Sequence, residues 1–283
     1  MKFSIITPVK NGQPYIAETI ESVLNQRGDF DIEYILVDGG SSDHTLEICK
    51  HYQMQIEQKV RGIFCKNIEV RIIQQSDDSM FDALSNGFKV VSGDFIAYLN
   101  SDDFYLPNAF SCVADVFFKF SDIFWLTGLP SRFNEKGQII RTYFPFKYNT
   151  QLISKGFYGK ALPFIQQESV FWRSDLIKNI NLVELKKYKL AGDFYLWHSF
   201  ASEGFQLYIL ESVLSGNRIR QGQLSENRIK YFQEFDSIKS SSMVIDQFLV
   251  IIYKLIEKFI GIPVKRKFSK KRVCFRKGGW QLL

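Results

Sequence analysis

Short apolar runs alternate with helical patterns through the first 130 residues, and no other feature constrains the fold as strongly. Apolar runs typical of strands occupy residues 3–7, 33–37, 70–73, 95–99 and 123–126. A helix is predicted to begin near Pro14, with Ile16, Ile20 and Val23 at helical spacing. This alternation predicts an α/β fold whose mainly parallel central sheet is flanked by helices on both faces.

Polar clusters follow four of the predicted strands at the point where each strand ends. They occupy residues 7–11, 38–43, 74–78 and 100–103. Ligands of such folds bind beyond the carboxyl ends of the parallel strands. We therefore expect four loops to converge on one site.

From about residue 130 the pattern loosens, and no internal repeat or low-complexity linker divides the chain. One continuous domain over residues 1–220 is predicted, with a first half at 1–103 and a second at 104–220. Residues 225–260 read as helical, and residues 221–283 are expected to form a helical and basic extension. The 46% hydrophobic content excludes general disorder.

The charge of the chain is concentrated at its C-terminus. The net charge is +6, yet residues 264–283 hold eight cations and no acid, so the other 263 residues sum to −2. A nucleic-acid partner is therefore not expected. The eight cations are Lys265, Arg266, Lys267, Lys270, Lys271, Arg272, Arg276 and Lys277.

An amphipathic helix over residues 244–260 precedes these cations. This combination suits the surface of an anionic membrane. Two alternatives are packing of the helix on the body, with a disordered basic tail, and binding to a partner protein. The four cysteines form no CxxC pair, the N-terminal apolar run is too short for a signal peptide, and no stretch approaches the ~20 apolar residues of a membrane span. We expect a cytoplasmic protein, peripheral on the inner face of the cell membrane if the tail binds there.

Two motifs stand out chemically. Asp102 and Asp103 are adjacent carboxylates after an apolar strand, and such oxygen ligands suit Mg²⁺ or Mn²⁺ holding a diphosphate. The alternative is that one of them caps the following turn. Asp38 ends another strand, where it can accept hydrogen bonds from a base or sugar, and Gly39 and Gly40 permit close backbone approach.

Together these motifs resemble the family 2 glycosyltransferases, which adopt the GT-A fold. Residues 3–103 resemble the donor-binding half, and residues 166–173 and 191–197 resemble two segments of the acceptor half. The resemblance covers about residues 3–210, with five motifs in the expected order.

The resemblance implies roles for particular residues. The backbone of Thr7, Pro8 and Val9 would contact the nucleoside, with Asp38 reading the base. The implied site residues are Thr7, Pro8, Val9, Asn11, Asp38, Asp77, Asn100 and Ser101 for the nucleotide and donor sugar, Asp102 and Asp103 for the metal, and Asp193 as the catalytic base. The alternative for Asp193 is a helix N-cap.

Several positions depart from the family pattern. Asn100 replaces the first Asp of the DxD motif, and Gly192 replaces the Glu that usually precedes the base. Ser79 and Ser85 replace a Gly and an Asn of the donor segment. No Arg-Trp pair occurs, so the QxxRW motif of processive members is absent and addition of a single sugar is favoured.

The implied reaction is inverting, metal-dependent transfer of one sugar from a nucleoside-diphosphate sugar, expected to be a UDP-sugar, to a hydroxyl of a glycan or lipid-linked acceptor. A divalent cation at Asp102 would neutralise the leaving diphosphate, and Asp193, with an ordinary carboxylate pKa of about 4, would accept the acceptor's proton. Such relatives commonly build surface polysaccharides or glycolipids. The alternative is a non-catalytic nucleotide-sugar or glycan-binding protein. A nucleotidyltransferase is less favoured because the loop after the first strand is short and weakly basic.

Overall fold

The computed structural model describes residues 1–223, 227–269 and 271–283. Its strands are β1 (Lys2–Val9), β2 (Asp31–Asp38), β3 (Asn67–Gln74), β4 (Phe95–Tyr98), β5 (Phe104–Tyr105), β6 (Trp125–Thr127), β7 (Ser131–Phe133), β8 (Ile139–Thr142), β9 (Val170–Arg173), β10 (Leu207–Leu210), β11 (Ser215–Arg218), β12 (Arg272–Arg276) and β13 (Gly279–Leu282). Its α-helices are α1 (Ile16–Leu24), α2 (Thr45–Glu57), α3 (Met80–Phe88), α4 (Ala109–Lys119), α5 (Thr150–Ser154), α6 (Leu182–Leu185), α7 (Gly192–Ser202), α8 (Arg228–Ile238), α9 (Val244–Phe259) and α10 (Ile262–Phe268). Two 3₁₀ helices lie at Gln167–Ser169 and Ser174–Asn179.

The central sheet has the strand order β13-β12-β10-β6-β9-β4-β1-β2-β3. Strands β1 to β4, β6, β10 and β12 point the same way, whereas β9 runs antiparallel to β4 and β6, and β13 runs antiparallel to β12. The predicted mainly parallel sheet flanked by helices is confirmed.

Neighbouring residues of the central strands face two separate apolar cores. Ile5 points into a core with α1, α2 and α4, whereas Ile6 points into a core with α3, α5, α7 and α9. Since successive side chains of a strand alternate between the sheet's faces, a strand covered on both sides is mainly apolar. This explains why apolar residues dominate β1 and β2, whose buried polar residues Ser4 and Glu33 are hydrogen-bonded to each other.

A second sheet with the order β5-β11-β7-β8 covers the carboxyl end of β4. Its strand β11 pairs antiparallel with β5, which follows β4 directly, and parallel with β7. The pairing brings residues 215–218 beside the loop after β4, although more than 100 residues separate them in sequence.

The C-terminal residues differ in part from the expected helical and basic extension. Helices α8, α9 and α10 form within it, but β12 pairs with β10 and extends the central sheet, and β13 completes a hairpin at the edge. Val273 and Trp280 of these strands pack into the first core. The strands form because apolar residues interleave with the cations there. The domain boundary at residue 220 stays a prediction.

Three of the tail's seven described cations pair with acids that lie outside residues 264–283. Lys265 Nζ lies 2.6 Å from Glu257 Oε2, while Arg266 and Arg272 lie 2.8 and 3.3 Å from the carboxylate of Glu211. Lys265 and Arg272 are buried. Lys267, Lys271, Arg276 and Lys277 remain at least partly exposed, and the predicted cation Lys270 lies outside the described residues, as do residues 225 and 226 of the expected helical region. Part of the predicted basic tail is therefore ordered and paired with acids, which differs from the alternative of a disordered basic tail.

Candidate active site

The loops after β1 and β2 meet at the carboxyl edge of the sheet, as the strand pattern predicts. Val9 and Asp38, the last residues of the two strands, are in register, and Gly39 N donates to Val9 O at 2.9 Å. Asn11 Oδ1 accepts from Ser42 N at 2.8 Å. These hydrogen bonds fix one loop against the other.

The side chains of the predicted nucleoside-binding residues are largely buried. Thr7 Oγ1 lies 3.0 Å from the Tyr34 hydroxyl inside the protein, which leaves its backbone as its means of contacting a ligand. Pro8 is also a residue of β1 and stands opposite Val37. The Asp38 carboxylate accepts from the backbone N–H groups of Gly40 and Ser41, so it supports its own turn.

Asp77 joins this cluster from the loop after β3. A Cβ placed on Gly39 would stand 2.4 Å from Asp77 Oδ2, so only glycine permits this approach. Burial raises the pKa of the Asp77 carboxyl, with smaller contributions from nearby carboxylates and an opposing one from Lys10. The ends of β2 and β3 thus bring two carboxylates, Asp38 and Asp77, to one place.

The loop after β4 carries the predicted metal-binding residues. Asp102 Oδ2 accepts from Arg220 Nε at 2.7 Å, and its side chain stays 13% exposed. Asn100 Oδ1 is buried and has no hydrogen-bond partner among the described residues. The Ser101 carbonyl accepts from Thr19 Oγ1 at 2.9 Å, so the backbone of this loop is held by α1.

Asp103 is buried inside the protein, in contrast to the expectation of a metal ligand. It is 1% exposed, and its Oδ1 accepts from Arg218 N of β11 at 2.8 Å. Burial, followed by repulsion from Glu168 and Asp102, raises the pKa of the Asp103 carboxyl well above its usual range. Because β5 pairs with β11, the Asp103 side chain lies inside the protein. We propose that Asp103 supports the loop after β4.

Arg218 is the main support of the Asp102 loop. Its buried guanidinium donates to the carbonyls of Asp102 and Glu135 at 2.8 and 2.6 Å and pairs with Glu18. The centroid of the Tyr15 ring lies 4.8 Å from the central carbon of this guanidinium. One cation therefore joins α1, the β4 loop and the β7–β8 hairpin.

A cleft of about 270 Å³ opens between the β1 loop and Asp102. Its lining combines cations with carboxylates and backbone amides. The lining residues are Lys10, Asn11, Gly12, Gln13, Pro14, Tyr15, Ser101, Asp102, Glu135, Arg220 and Gln221. Among the described residues, no group of three or more His, Cys, Asp and Glu side chains could hold a metal ion by itself.

Asp193 lies in the first turn of α7, beside the start of α3. A Cβ on the preceding Gly192 would stand 2.5 Å from the Phe81 ring, so that position has no room for a side chain. Asp193 lines a small aromatic recess with Tyr158, Phe164 and Tyr231. Burial, which exceeds the opposing effect of hydrogen bonds from backbone amides, raises the pKa of Asp193 to about 7. The expected ordinary pKa near 4 is therefore corrected.

Glu168 is a further carboxylate of this region that the sequence did not single out. It is 2% exposed, and burial is the first cause that raises its pKa above the usual range. Repulsion from Asp193 and Asp102 adds to this effect on the pKa of Glu168. Residues 166–173, which include Glu168, resemble a segment of the family, but no local sequence pattern predicts that Glu168 is buried.

Comparison with known proteins identifies relatives of this arrangement. The profile of the family described as "Glycosyl transferase family 2" matches residues 4–179. The minor teichoic acid biosynthesis protein GgaA of Bacillus subtilis is 30% identical over 207 residues, which cover 66% of this chain and 44% of that protein. The chain thus spans less than half the length of this relative.

Two solved structures share the fold. Staphylococcus aureus TarS 1–349 in complex with UDP-GlcNAc has a TM-score of 0.57 at 16% identity, covering 95% of this chain and 71% of that one. The mannosyltransferase PcManGT from Pyrobaculum calidifontis, in complex with GDP-Man and Mn²⁺, has a TM-score of 0.57 at 11% identity, covering 94% and 73%. These likenesses confirm the GT-A fold.

Proposed function

Because the chain belongs to glycosyl transferase family 2, we propose that it transfers a single sugar from a UDP-sugar to a hydroxyl group of a glycan or lipid-linked acceptor, with inversion at the anomeric carbon. The observation that carries this proposal is the placement of Asp102 on a cleft that Lys10 and Arg220 also line. A carboxylate beside two cations suits a metal-bound diphosphate, whose charge requires both kinds of partner.

The nucleoside end of the donor would lie beside the ends of β1, β2 and β3. Asp38 and Asp77 supply acceptors for the N–H and hydroxyl groups of a base and ribose. The backbone of Thr7, Pro8 and Val9 would contact the ring, since their buried side chains leave only main-chain atoms for this purpose. Asn11, Asn100 and Ser101 are proposed to line the donor site as well.

A divalent cation, Mn²⁺ or Mg²⁺, would neutralise negative charge that develops on the leaving diphosphate. Asp102 would hold it, with the buried Asn100 Oδ1, which lacks a hydrogen-bond partner among the described residues, as a second oxygen. Magnesium sites commonly use one or two carboxylates together with phosphate oxygens of the substrate, so this donor set fits. Arg220 pairs with Asp102 here and would exchange that partner for the diphosphate.

Asp193 would act as the general base. An acceptor hydroxyl attacks the anomeric carbon from the face opposite the diphosphate, and its proton passes to the Asp193 carboxylate. The new bond joins the acceptor oxygen to the anomeric carbon, and the old bond's electron pair leaves with the diphosphate. One displacement without a covalent intermediate inverts the configuration.

A nucleotide-sugar hydrolysis screen tests this proposal without knowledge of the acceptor. UDP-, GDP- and CDP-sugars are incubated with the protein and Mn²⁺, nucleotide release is measured, and the first sugar anomer formed is identified by NMR. Release from a UDP-sugar with the opposite anomeric configuration is expected. Retention of configuration would contradict the mechanism, and nucleotide binding without any release would favour the non-catalytic alternative.

The setting proposed for this reaction is synthesis of a surface polysaccharide or glycolipid at the inner face of the cell membrane. The printed name of GgaA refers to teichoic acid biosynthesis, a related kind of polymer. No helix among the described residues is long and apolar enough to cross a bilayer. We propose that attachment uses a surface of the protein.

Helix α9 provides such a surface. Its inner face packs on the body through Val250 and Tyr253, while an apolar outer face stays exposed. That outer face consists of Val244, Ile245, Phe248, Ile251, Ile252, Leu255 and Phe259. The polar positions of the helix include the exposed cations Lys254 and Lys258.

The charges around this outer face match an anionic lipid surface. The two acids of α9 point inward: Asp246 is buried, and Glu257 pairs with Lys265. Exposed apolar residues flanked by cations and lacking a free acid suit the headgroup boundary of an anionic bilayer. We propose that this outer face, together with the exposed tail cations, attaches the protein to the membrane.

A further inference from the structure

Glu234 of α8 is bonded to the segment that leads into α7. Its Oε2 atom accepts hydrogen bonds from the backbone N–H groups of Lys189, Leu190 and Ala191 at 3.0, 2.8 and 3.0 Å. One carboxylate oxygen thus receives three consecutive donors. Hydrogen bonds to an ionised acceptor are stronger than neutral ones, so this contact fixes the segment firmly.

The segment ends two residues before Asp193. Gly192 begins α7, and Asp193 follows in its first turn. Asp193 Oδ1 accepts from Phe194 N at 2.6 Å, so its orientation depends on the backbone of that turn. A shift of residues 189–191 would therefore move the carboxylate of Asp193.

Helix α8 is itself fixed to α7 by aromatic packing. The rings of Phe194 and Phe235 stack with centroids 4.0 Å apart, and both residues are buried. Glu234 precedes Phe235 on α8, so the packing holds its carboxylate over the segment. The two contacts together join α8 to the start of α7.

We propose that Glu234 is a positioning residue of the transfer reaction, holding residues 189–191 so that Asp193 faces the acceptor hydroxyl. This inference rests on the proposed function, in which Asp193 is the base. Glu234 does not touch the reacting atoms. Its effect passes through the three backbone N–H groups.

Glu234 also affects the titration of Asp193. Burial is the first cause of the raised pKa of Asp193, and repulsion from Glu234 adds to it. The other titratable groups that interact with Asp193 are Tyr98 on β4, Glu168 in the first 3₁₀ helix and Tyr231 on α8. Removing the Glu234 charge should therefore shift the acid limb of the pH–rate profile to lower pH.

Two variants separate the charge of Glu234 from its hydrogen bonding. Glu234→Gln keeps an acceptor oxygen and removes the charge, whereas Glu234→Ala removes both. Asp236→Asn is the matched control, because Asp236 lies on the exposed side of the same helix and, among the described residues, forms ion pairs with Lys160 and Lys239. Circular dichroism and thermal melts establish that each variant is folded.

Rates of donor turnover and amide hydrogen exchange are measured on all four proteins. Glu234→Ala should lower kcat by about 100-fold with the donor KM unchanged, because a small misplacement of a catalytic group is costly. Its amides at 189–191 should exchange faster than in the wild type. Glu234→Gln should lose less activity and shift the acid limb to lower pH, and Asp236→Asn should match the wild type.

Equal amide exchange in Glu234→Ala and the wild type would overturn the inference. So would a folded Glu234→Ala variant with unchanged kcat, or an equal loss of activity in Asp236→Asn. Failure of the proposed function has a different signature, since the wild-type protein would then turn over no donor. The exchange measurement would still decide whether Glu234 holds the segment.

Discussion

Asp193 shows how the environment of a single residue changes its expected chemistry. Its carboxyl is acidic in water, with a pKa near 4. Burial at the start of α7 raises that pKa to about 7. A carboxylate with this pKa is a stronger base, yet it is deprotonated only in part at neutral pH.

This pKa predicts the pH dependence of the reaction. Only deprotonated Asp193 accepts a proton, so kcat/KM for donor turnover should rise with pH and level off above about 7. A pH–rate profile between pH 5 and 9 measures this limb. A profile flat down to pH 5 would contradict the role of Asp193 or its burial.

Asp193→Asn should reduce turnover by about 10²- to 10⁴-fold, since general-base catalysis is of this size. The amide has nearly the shape of the carboxyl but cannot take the proton. Nucleotide affinity, measured by calorimetry, should stay close to that of the wild type, because Asp193 lies outside the cleft beside Asp102. Loss of both turnover and nucleotide binding would indicate a structural role.

Residues at strand ends could be predicted from the sequence, whereas their partners could not. Asp38 and Asp102 follow apolar runs directly, and a local pattern is enough to place them. Arg220 reaches Asp102 across 118 positions of sequence, and Arg218 contacts the same residue across 116. Such contacts depend on the pairing of β5 with β11, which no local periodicity encodes.

The elements themselves were predicted best where the apolar pattern is regular. Predicted strands at 33–37 and 70–73 correspond to β2 (Asp31–Asp38) and β3 (Asn67–Gln74). The tail was predicted less well, because β12 is a short apolar run between the cations Arg272 and Arg276, and its Val273 packs into the first core. The many cations of residues 264–283 obscure the short apolar run that forms this strand.

We expect Arg218 of β11 to contribute to the free energy of unfolding. Arg218→Ala should lower the free energy of unfolding by about 2 to 4 kcal/mol, because it leaves the carbonyls of Asp102 and Glu135 without a donor. Urea denaturation measures this loss. The exposed Arg276→Ala is the control and should change stability little. Equal stability of the two variants would contradict the account of Arg218.

We expect the exposed apolar face of helix α9 to attach the protein to an anionic membrane. Phe248→Glu combined with Leu255→Glu places acids on the outer face and should abolish co-sedimentation with vesicles that contain anionic lipid. The matched control, Ile139→Glu with Ile140→Glu, changes two exposed apolar residues of β8 and should bind as the wild type does. Equal binding by both double variants, or binding to neutral vesicles alone, would contradict the proposed surface.

At the scale of the whole molecule, the sheet determines where chemistry can occur. Its parallel strands bring the loops after β1, β2, β3 and β4 to one edge, where Asp38, Asp77 and Asp102 lie. The second half supplies Arg220 and the start of α7 to the same region. Two sequence-distant halves thus both contribute residues to this edge of the sheet, as the proposed transfer between two substrates requires.

We propose that the cleft beside Asp102 binds a nucleoside diphosphate through a divalent cation held by Asp102. Calorimetric titration of UDP, GDP and CDP, each with Mn²⁺ and with EDTA, tests it most directly, with Asp102→Asn measured alongside. We expect UDP to bind selectively in the presence of Mn²⁺. Both EDTA and the Asp102→Asn substitution should weaken this binding. Failure of all three nucleotides to bind would contradict the proposed transfer from a nucleotide sugar. Binding that EDTA does not weaken would contradict the proposed role of a metal at Asp102.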